Sequence, residues 1–550
     1  MSDNENQDDS MEMRKEYKIL VKNSFYSFLN SYGVILFTTI TSFFTARIIS
    51  AVNWGFLILA LSAVNLFVII LTFFPPSLGY TLNYYVPKFR ASNQNRKLKS
   101  FLKQILVIRL FFVSLIFLIA MIIAIFFTEL LKVNLGAFSH LFFILAPLIF
   151  INGFGKAMFD LYRSLNMFRT VLVLFFIKYL IQIISLIYYF IFFRRISVEA
   201  LAYITLFSDL VPFIMGFLYI FFIVQFKIEN TEEDSQSYSE TIKDLYSYGI
   251  HLSFQGFMDT FFRNFRIQAV GFFETPDIVT GYSIGVNYRN VALESIASLN
   301  KPLIISFSGL DLAEKKDQVF KIFRLTFQYF NLLNLLFIGI LYFMADIFLF
   351  LIYGVAFLKF SMILKLTIIT MMFSVQETLF FALIRSSKKV KFIIPISILS
   401  IILRLPIFLI SLFFFGIIGA LIGVIISNTL YFIILALLNK KIFEIQLKLG
   451  KTALQYLSFI IALGLTILLE FLFYKGLNYY MLKSLNLLIF KNFVVFSLIT
   501  FIIVYIALNI IFKILARSDI DSLESFFQKD TSFHKLIRWG FKIMKKFIRR

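Results

Sequence analysis

Long runs of mostly apolar residues recur along the chain, parted by shorter polar stretches. A run of about 20 such residues spans about 30 Å of hydrocarbon as a helix. Fourteen runs qualify: 25–49, 54–74, 102–127, 139–160, 168–193, 200–224, 247–271, 279–305, 326–353, 361–384, 391–414, 416–438, 452–474 and 488–514. Each is predicted to be an α-helix, because a segment isolated in lipid satisfies its own backbone only that way. The runs 247–271 and 279–305 hold several charges each, and without them the number is twelve.

The polar stretches between the runs differ in charge. One set of loops holds Lys88, Arg90, Arg96, Lys97 and Lys99, then Arg163 and Arg169, then Lys301, Lys315, Lys316 and Arg324. It continues with Arg385, Lys388, Lys389 and Lys391, and with Lys440, Lys441, Lys448 and Lys451. The alternate loops hold only Lys132, Arg194, Arg195, Lys359, Lys475 and Lys483. The cation-rich side is expected to be cytoplasmic, which places both termini there and fits an even number of spans. Between the sixth and seventh runs lies an acidic linker with Glu229, Glu232, Glu233 and Asp234. It divides the chain into halves of equal topology, as parallel repeats would be. Asn53-Trp54-Gly55-Phe56 and Val279-Thr280-Gly281-Tyr282, after the first and seventh runs, are a faint echo of such a repeat, and two ordinary turn glycines account for them equally well.

The expected organisation is therefore a cytoplasmic segment 1–24, an N-terminal lobe 25–226, a linker 227–246 and a C-terminal lobe 247–440. A helical pair, 441–514, and a tail, 515–550, complete it. In the tail, Phe533, Leu536, Ile537, Phe541, Met544 and Phe547 recur at helical spacing opposite Lys535, Arg538, Lys542, Lys545, Lys546 and Arg549. That pattern predicts a basic amphipathic helix suited to an anionic leaflet. Met1–Ser10 are acidic, and the first apolar run is too long for the core of a cleaved leader, so it is expected to remain as an anchor.

Composition narrows the function classes. Of 550 residues, 60% are hydrophobic and only 15% charged, with a mean hydropathy of +0.86. A soluble chain carries about 25% charged residues, so a soluble enzyme is excluded, as is a disordered chain. The formal charge of +22 is absorbed by cytoplasmic loops and gives no reason to invoke nucleic acid. With no cysteine, thiolate chemistry and Cys-ligated metals are excluded, and three scattered histidines do not suggest a metal site. No cofactor is expected.

Charge inside the bilayer is costly and marks candidate sites. Ionisable residues within the runs include Arg109, Lys178, Asp209, Asp259, Arg263, Arg266, Arg289, Glu294, Asp346, Glu377 and Arg404. For each of them, snorkelling or a structural ion pair competes with a functional role. In the seventh run Gln255, Asp259, Arg263 and Arg266 share one stripe at about 100° per residue. Two guanidinium groups on one stripe cannot face lipid. In the eighth run Asn287, Asn290, Glu294 and Ser298 form a second polar stripe, while Arg289 points elsewhere. Gly416, Gly419 and Gly423 allow close helix approach, and Pro406 is a candidate kink. An excess of guanidinium in an interior cavity suits a phosphate-bearing anion.

Several short motifs resemble one family in order and spacing. They are Phe44-Thr45-Ala46-Arg47-Ile48-Ile49, Trp54-Gly55-Phe56-Leu57, Ser77-Leu78-Gly79-Tyr80 and Tyr84-Tyr85-Val86. Gly281-Tyr282-Ser283, Ile352-Tyr353-Gly354 and Phe415-Gly416-Ile417-Ile418-Gly419-Ala420 follow. Over roughly residues 20–440 the chain resembles the polysaccharide-type (Wzx-like) flippases of the multidrug/oligosaccharidyl-lipid/polysaccharide (MOP) exporter superfamily. The resemblance implies an all-α polytopic fold of about 14 transmembrane helices, two six-helix lobes in a V around a cationic cavity, and two C-terminal helices. It implies a multi-pass protein of the cell membrane that moves a polyprenyl- or dolichyl-diphosphate-linked oligosaccharide from the cytoplasmic to the outer leaflet. Membrane lipids and other polysaccharide-export proteins are the further partners it implies. Many such flippases couple to a Na⁺ or H⁺ gradient. On that basis Arg263 and Arg266 are the first candidates for the diphosphate, with Arg109, Lys178, Arg289, Gln255, Asn287 and Asn290 behind them. Asp259, Asp209 and Glu294 are the candidates for ion coupling.

Three other classes compete. A multidrug/ion antiporter of the same superfamily would favour an anionic cavity. A lipid II flippase would differ only in cargo. A membrane glycosyltransferase or O-antigen polymerase would need a large outer loop with catalytic Asp, Glu or His, and none is long enough here. A scaffold gives no reason to bury so many charges.

Overall fold

The computed structural model describes residues 32–76, 78–91, 94–130, 136–223, 238–297, 316–386, 390–444, 449–476 and 487–512, with residues 26, 29, 30 and 514 beside them. The segment 1–24, most of the acidic linker and the basic tail lie outside the described residues. Among those described, every element is helical, and Phe73 and Pro76 form one isolated bridge.

The first half runs α1 (Tyr32–Ile48), α2 (Ala51–Ile70), α3 (Leu78–Ala91), α4 (Asn95–Leu130), α5 (Gly136–Leu145), α6 (Pro147–Ser164), α7 (Phe168–Phe192) and α8 (Val198–Phe222). The second begins with α9 (Tyr238–Phe273), α10 (Pro276–Ala297), α11 (Lys316–Phe348), α12 (Ser361–Ile369) and α13 (Ser374–Ser386). One continuous stretch, Ile393–Phe443, is broken at Gly416 into α14 (393–415) and α15 (417–443). The last pair is α16 (Leu449–Gly476) and α17 (Leu487–Ile511).

Eight of these helices are long and apolar enough to cross a membrane, one of them the stretch that contains both α14 and α15. The bent pairs α5–α6 and α12–α13 bring the number to ten. The shorter α1 and the more polar α9 and α10 stand at the remaining predicted runs, so each of the fourteen runs has a helical counterpart. The chain is a multi-pass membrane protein. One helix, α3, matches no predicted run, because Leu78–Ala91 is too polar and short for a span.

The fourth and tenth runs are broken alike. α5 meets α6, and α12 meets α13, with a bend of 41° in each case. Pro147 starts α6, where its missing N–H costs nothing. The second break, at Thr370–Phe373, has no proline. Its freed carbonyls are satisfied from other helices instead, Thr370 by Asn428, Met371 by Asn334 and Met372 by Tyr456. Pro406 is accommodated inside α14, and the sharp change of direction falls at Gly416, whose φ of +63° suits glycine. The carboxylate of Glu274 then receives the N–H of Ile417 at 2.8 Å. Gly419 and Gly423 lie against Ser411 and Ile407 of α14, the close approach their spacing predicts.

Contacts group the chain into two compact units. The first comprises Met1–Ile284, Phe350–Phe360 and Lys389–Gly423, and the second Gly285–Leu349, Ser361–Lys388 and Val424–Arg550. The first unit is held by an apolar core that includes Leu57, Ala60, Val64, Leu141, Leu148 and Leu201. The motif residues converge in it. Arg47 donates to the carbonyls of Ile352 at 2.7 Å and Leu351 at 3.2 Å. Trp54 packs on Tyr353 and Phe357, and Thr280 donates to Ala51 O at 2.6 Å. A Cβ on Gly55 would stand 1.8 Å from Pro276 O, which only glycine avoids. These motifs are joints between helices.

Candidate polar cavity in the first unit

Helix α6 follows the break at Ala146 and turns one stripe of its surface inward. Asn152, Lys156, Asp160 and Arg163 recur at intervals of four, four and three, so they share that stripe. α7 brings Lys178, α8 brings Asp209, and α2 adds Asn65. Together they line a cavity of about 350 Å³ whose apolar wall includes Val68, Phe159, Phe175 and Phe213.

The charges inside are partly neutralised. Lys178 and Asp209 pair at 2.5 Å, with their side chains 27% and 13% exposed. Arg163 and Asp160 pair at 3.4 Å along α6. Gly79 of α3 makes room for the second carboxylate, since a Cβ there would lie 2.8 Å from Asp160 Oδ2. Lys156 is exposed to the cavity and makes no hydrogen bond or ion pair among the described residues. It lies within electrostatic reach of Asp160, Arg109 and Arg263. The cavity therefore holds three cations against two carboxylates.

The remaining candidate residues have varied surroundings. Arg109, 3% exposed, donates to the carbonyls of Gly153 at 2.9 and 2.7 Å, to Phe74 at 2.9 Å and to Leu71. Its donors satisfy main chain freed where α2 ends. α9 packs along α2, α3 and α4, with the rings of Phe257 and Phe73 4.8 Å apart. That packing brings the Asp259–Arg263 stripe beside the first half, with Arg263 exposed and Asp259 electrostatically coupled to it. Arg266 sits 5.8 Å from the ring centroids of both Phe262 and Phe408. Arg289 donates to Asn290 at 3.4 Å and Asn287 is exposed, and all three belong to the second unit. The side chains of Gln255 and Glu294 lie outside the described residues.

Sequence reasoning passes over Lys156 and Asp160. They close the fourth run, where a charge reads as a helix end, although the Asn152–Lys156–Asp160 spacing carries the signal. Arg163 reads there only as a loop cation.

Chemically, the cavity can hold an anion by charge and a hydroxyl-rich group by its amides and carboxylates. Among the described residues no group of three or more His, Asp or Glu side chains could hold a metal ion.

No protein-family model matches the sequence, and no curated protein matches it. Solved structures do match in fold. An inward-facing multidrug resistance MATE family transporter of the MOP superfamily superposes with a TM-score of 0.62 at 13% identity, over 74% of this chain and 94% of that one. The lipid II flippase MurJ in an inward closed conformation gives 0.57 at 13% identity, over 90% of this chain and 98% of that one. A variant of the Vibrio cholerae MATE transporter VcmN gives 0.54 at 16% identity, over 78% and 97%. The chain has the all-helical membrane fold that these MOP proteins share.

Proposed function

We propose that the chain is a flippase that carries a lipid-diphosphate-linked oligosaccharide from the cytoplasmic to the outer leaflet. One observation carries the reading: a membrane-embedded cavity with a cation surplus, in which Lys156 has no partner among the described residues while Arg263 is close enough to share its field. A diphosphate diester bears two negative charges, and Lys and Arg are the side chains that hold phosphate. The sugar head cannot cross hydrocarbon unaided, whereas the polyprenyl or dolichyl tail can stay in lipid. Rocking of two lobes, 25–226 and 247–440, joined by the linker 227–246, would expose the cavity to each side in turn. Na⁺ or H⁺ coupling would drive the cycle, both termini would be cytoplasmic, and no covalent step is needed. The protein would act in polysaccharide or glycan export.

The fold match supports a flippase more than a drug antiporter in one respect. The lipid II flippase aligns over 90% of this chain and the MATE transporters over 74–78%. A cationic drug would also need free carboxylates, and Asp160 and Asp209 are both paired.

The test is transfer of a lipid-diphosphate-oligosaccharide between leaflets of reconstituted vesicles. Wild type should move it, and Lys156→Met/Arg263→Gln should not, despite an unchanged melting temperature. Wild type that moves no lipid but expels cationic drugs would overturn the assignment.

A further inference from the structure

Beside its charges the cavity holds two neutral polar groups that the fold does not use. On the α6 stripe Asn152 precedes Lys156 by one turn, and α2, which packs on α6, brings Asn65 to the same cavity. Asp160 and Asp209 are committed to Arg163 and Lys178. Of the polar side chains lining the cavity, Lys156, Asn65 and Asn152 make no hydrogen bond or ion pair among the described residues. Both amides are half-buried and belong to helices of membrane-spanning character. Each has two N–H donors and a carbonyl acceptor to fill. Several amides elsewhere in the spans are spent on the fold. Gln268 donates to Leu59 O and to Ser62, Asn428 to Thr370 O, and Asn331 to Gln455. Asn65 and Asn152 hold no helices together in this way, and an amide left unbonded at such depth is costly.

Resting on the flippase reading, we infer that Asn65 and Asn152 form a sugar subsite, which takes the ring joined to the diphosphate while Lys156 takes phosphate. A sugar matches what the amides lack. Each hydroxyl both donates and accepts, so neighbouring hydroxyls engage the N–H and the C=O of one amide together. An ammonium would use only the carbonyl, and a phosphate only the N–H. The wall of the cavity suits the rest of the ring. Phe159 and Phe175 stack at 4.9 Å and 16°, and Phe213 lines the same space. The C–H groups of a pyranose are apolar, and aromatic side chains cover them. Size sets the extent of the ligand. About 350 Å³ lies near the lower end of ligand pockets, about 300–1,000 Å³, so the cavity takes the phosphates and the adjoining ring rather than a long glycan. One helical turn, about 6 Å of rise from Asn152 to Lys156, places the ring beside the phosphate.

The experiment is calorimetric titration of the full chain in detergent with two short-chain probes of equal charge. One is a prenyl-diphospho-glucose, and the other carries a methyl group in place of the glucose. Wild type should bind the glucose probe about tenfold more tightly, the worth of about two neutral hydrogen bonds. Asn152→Leu and Asn65→Leu should each narrow that preference to about threefold, and the double variant should abolish it. All three should bind the methyl probe as wild type does. Lys156→Met should weaken both probes alike and keep the preference. Equal wild-type affinity for the two probes would overturn the sugar subsite and leave the flippase reading standing. A preference unchanged in the double variant would overturn its assignment to these amides. No binding of either probe would overturn the cation site that carries the flippase reading. The wild-type ratio stands even if a variant does not fold.

Discussion

The two units treat polarity in opposite ways. In the first, the polar groups around the cavity are charged and reachable. In the second, the prominent ones are neutral and sealed. Asn331 donates to Gln455 at 2.8 Å, Tyr456 donates to Asn331 at 3.1 Å, and Gln455 donates to Gln328 O at 2.9 Å. Ser458 reaches Asn509, and Tyr505 reaches Leu332 O. Asn331, Gln455, Ser458 and Asn509 are each no more than 1% exposed. This ladder joins α11, α16 and α17, and it fixes the last pair of helices in place. Even the charged Asp346 there is closed by Lys365 at 2.6 Å and by Ser361. Lipid gives helices no hydrophobic reason to associate, so neutral side-chain hydrogen bonds and tight packing hold them together. Charges kept within reach of water between such helices are costly to hold there, which is why the first unit is the one to read for function.

Arg109 tests the comparison hardest, because it is a charge in the first unit that behaves as the second unit's amides do. Arg109→Met would leave the carbonyl of Phe74 without its Arg109 donor and those of Leu71 and Gly153 with only their main-chain partners. Four hydrogen bonds from a charged donor are lost, at about 1.5–3 kcal/mol each and partly offset by no longer burying the guanidinium. A loss of about 3–5 kcal/mol is therefore expected in thermal unfolding in detergent. Arg109→Lys should not restore it, since one ammonium cannot reproduce the planar fork. A full rescue by Lys would show that charge alone matters there. Next in size is Asn331→Leu, which leaves Gln455 Oε1 without its donor and Tyr456 with Met372 O as its acceptor. It should cost about 1–2 kcal/mol and leave binding of a diphosphate probe unaltered. An altered affinity would mean that the two kinds of polarity are not separate.

The spans are well legible in the sequence, because an apolar run of membrane length has almost nowhere to go but lipid. The breaks are poorly legible. The α5–α6 break has Pro147, but that at 370–373 depends on Asn334, Asn428 and Tyr456, which lie tens of residues away and meet only in the fold. The likeness of the two bends, 41° each, is not legible for the same reason: they are written in unlike residues. The motifs Arg47, Trp54-Gly55 and Tyr353 point correctly to a fold, and they turn out to be helix joints rather than cavity groups. The cavity is half legible. Lys178 and Asp209 stand out as intramembrane charges on separate helices, but nothing in their spacing announces the pairing, and the α6 stripe is hidden at a run's end.

Lys156→Met comes next, and it separates the regions by kind of effect rather than size. Lys156 has no partner to lose among the described residues, so stability should change by less than about 0.5 kcal/mol. Leaflet transfer should fall by about tenfold or more, the worth of one charge-assisted bond to phosphate. The vesicle assay and a melting curve on the same preparation check both. A destabilised protein would place Lys156 among the structural charges with Arg109.

The smallest effect is expected at the pair outside the membrane core, Lys359 and Asp277, at 2.5 Å. Partial burial works against the Asp277 charge, but hydrogen bonds from Lys359 and Thr275 outweigh it and hold the carboxyl below the usual carboxylate range. A carboxyl depressed in the folded state adds stability that is present above its unfolded value of about 4. That contribution disappears as pH falls through the lower, folded value. Lys359 is 53% exposed, so water screens the pair and its worth is below about 1 kcal/mol. Asp277→Asn should therefore melt slightly below wild type at pH 7 and together with it near pH 2. Because the pair joins the start of α10 to the 355–360 turn, beside the Arg47 joint, it belongs with the structural contacts, and leaflet transfer by Asp277→Asn should match wild type. A variant that melts normally at pH 7 yet transports poorly would move this pair from the joints to the working charges, and with it the boundary between the two kinds of polarity.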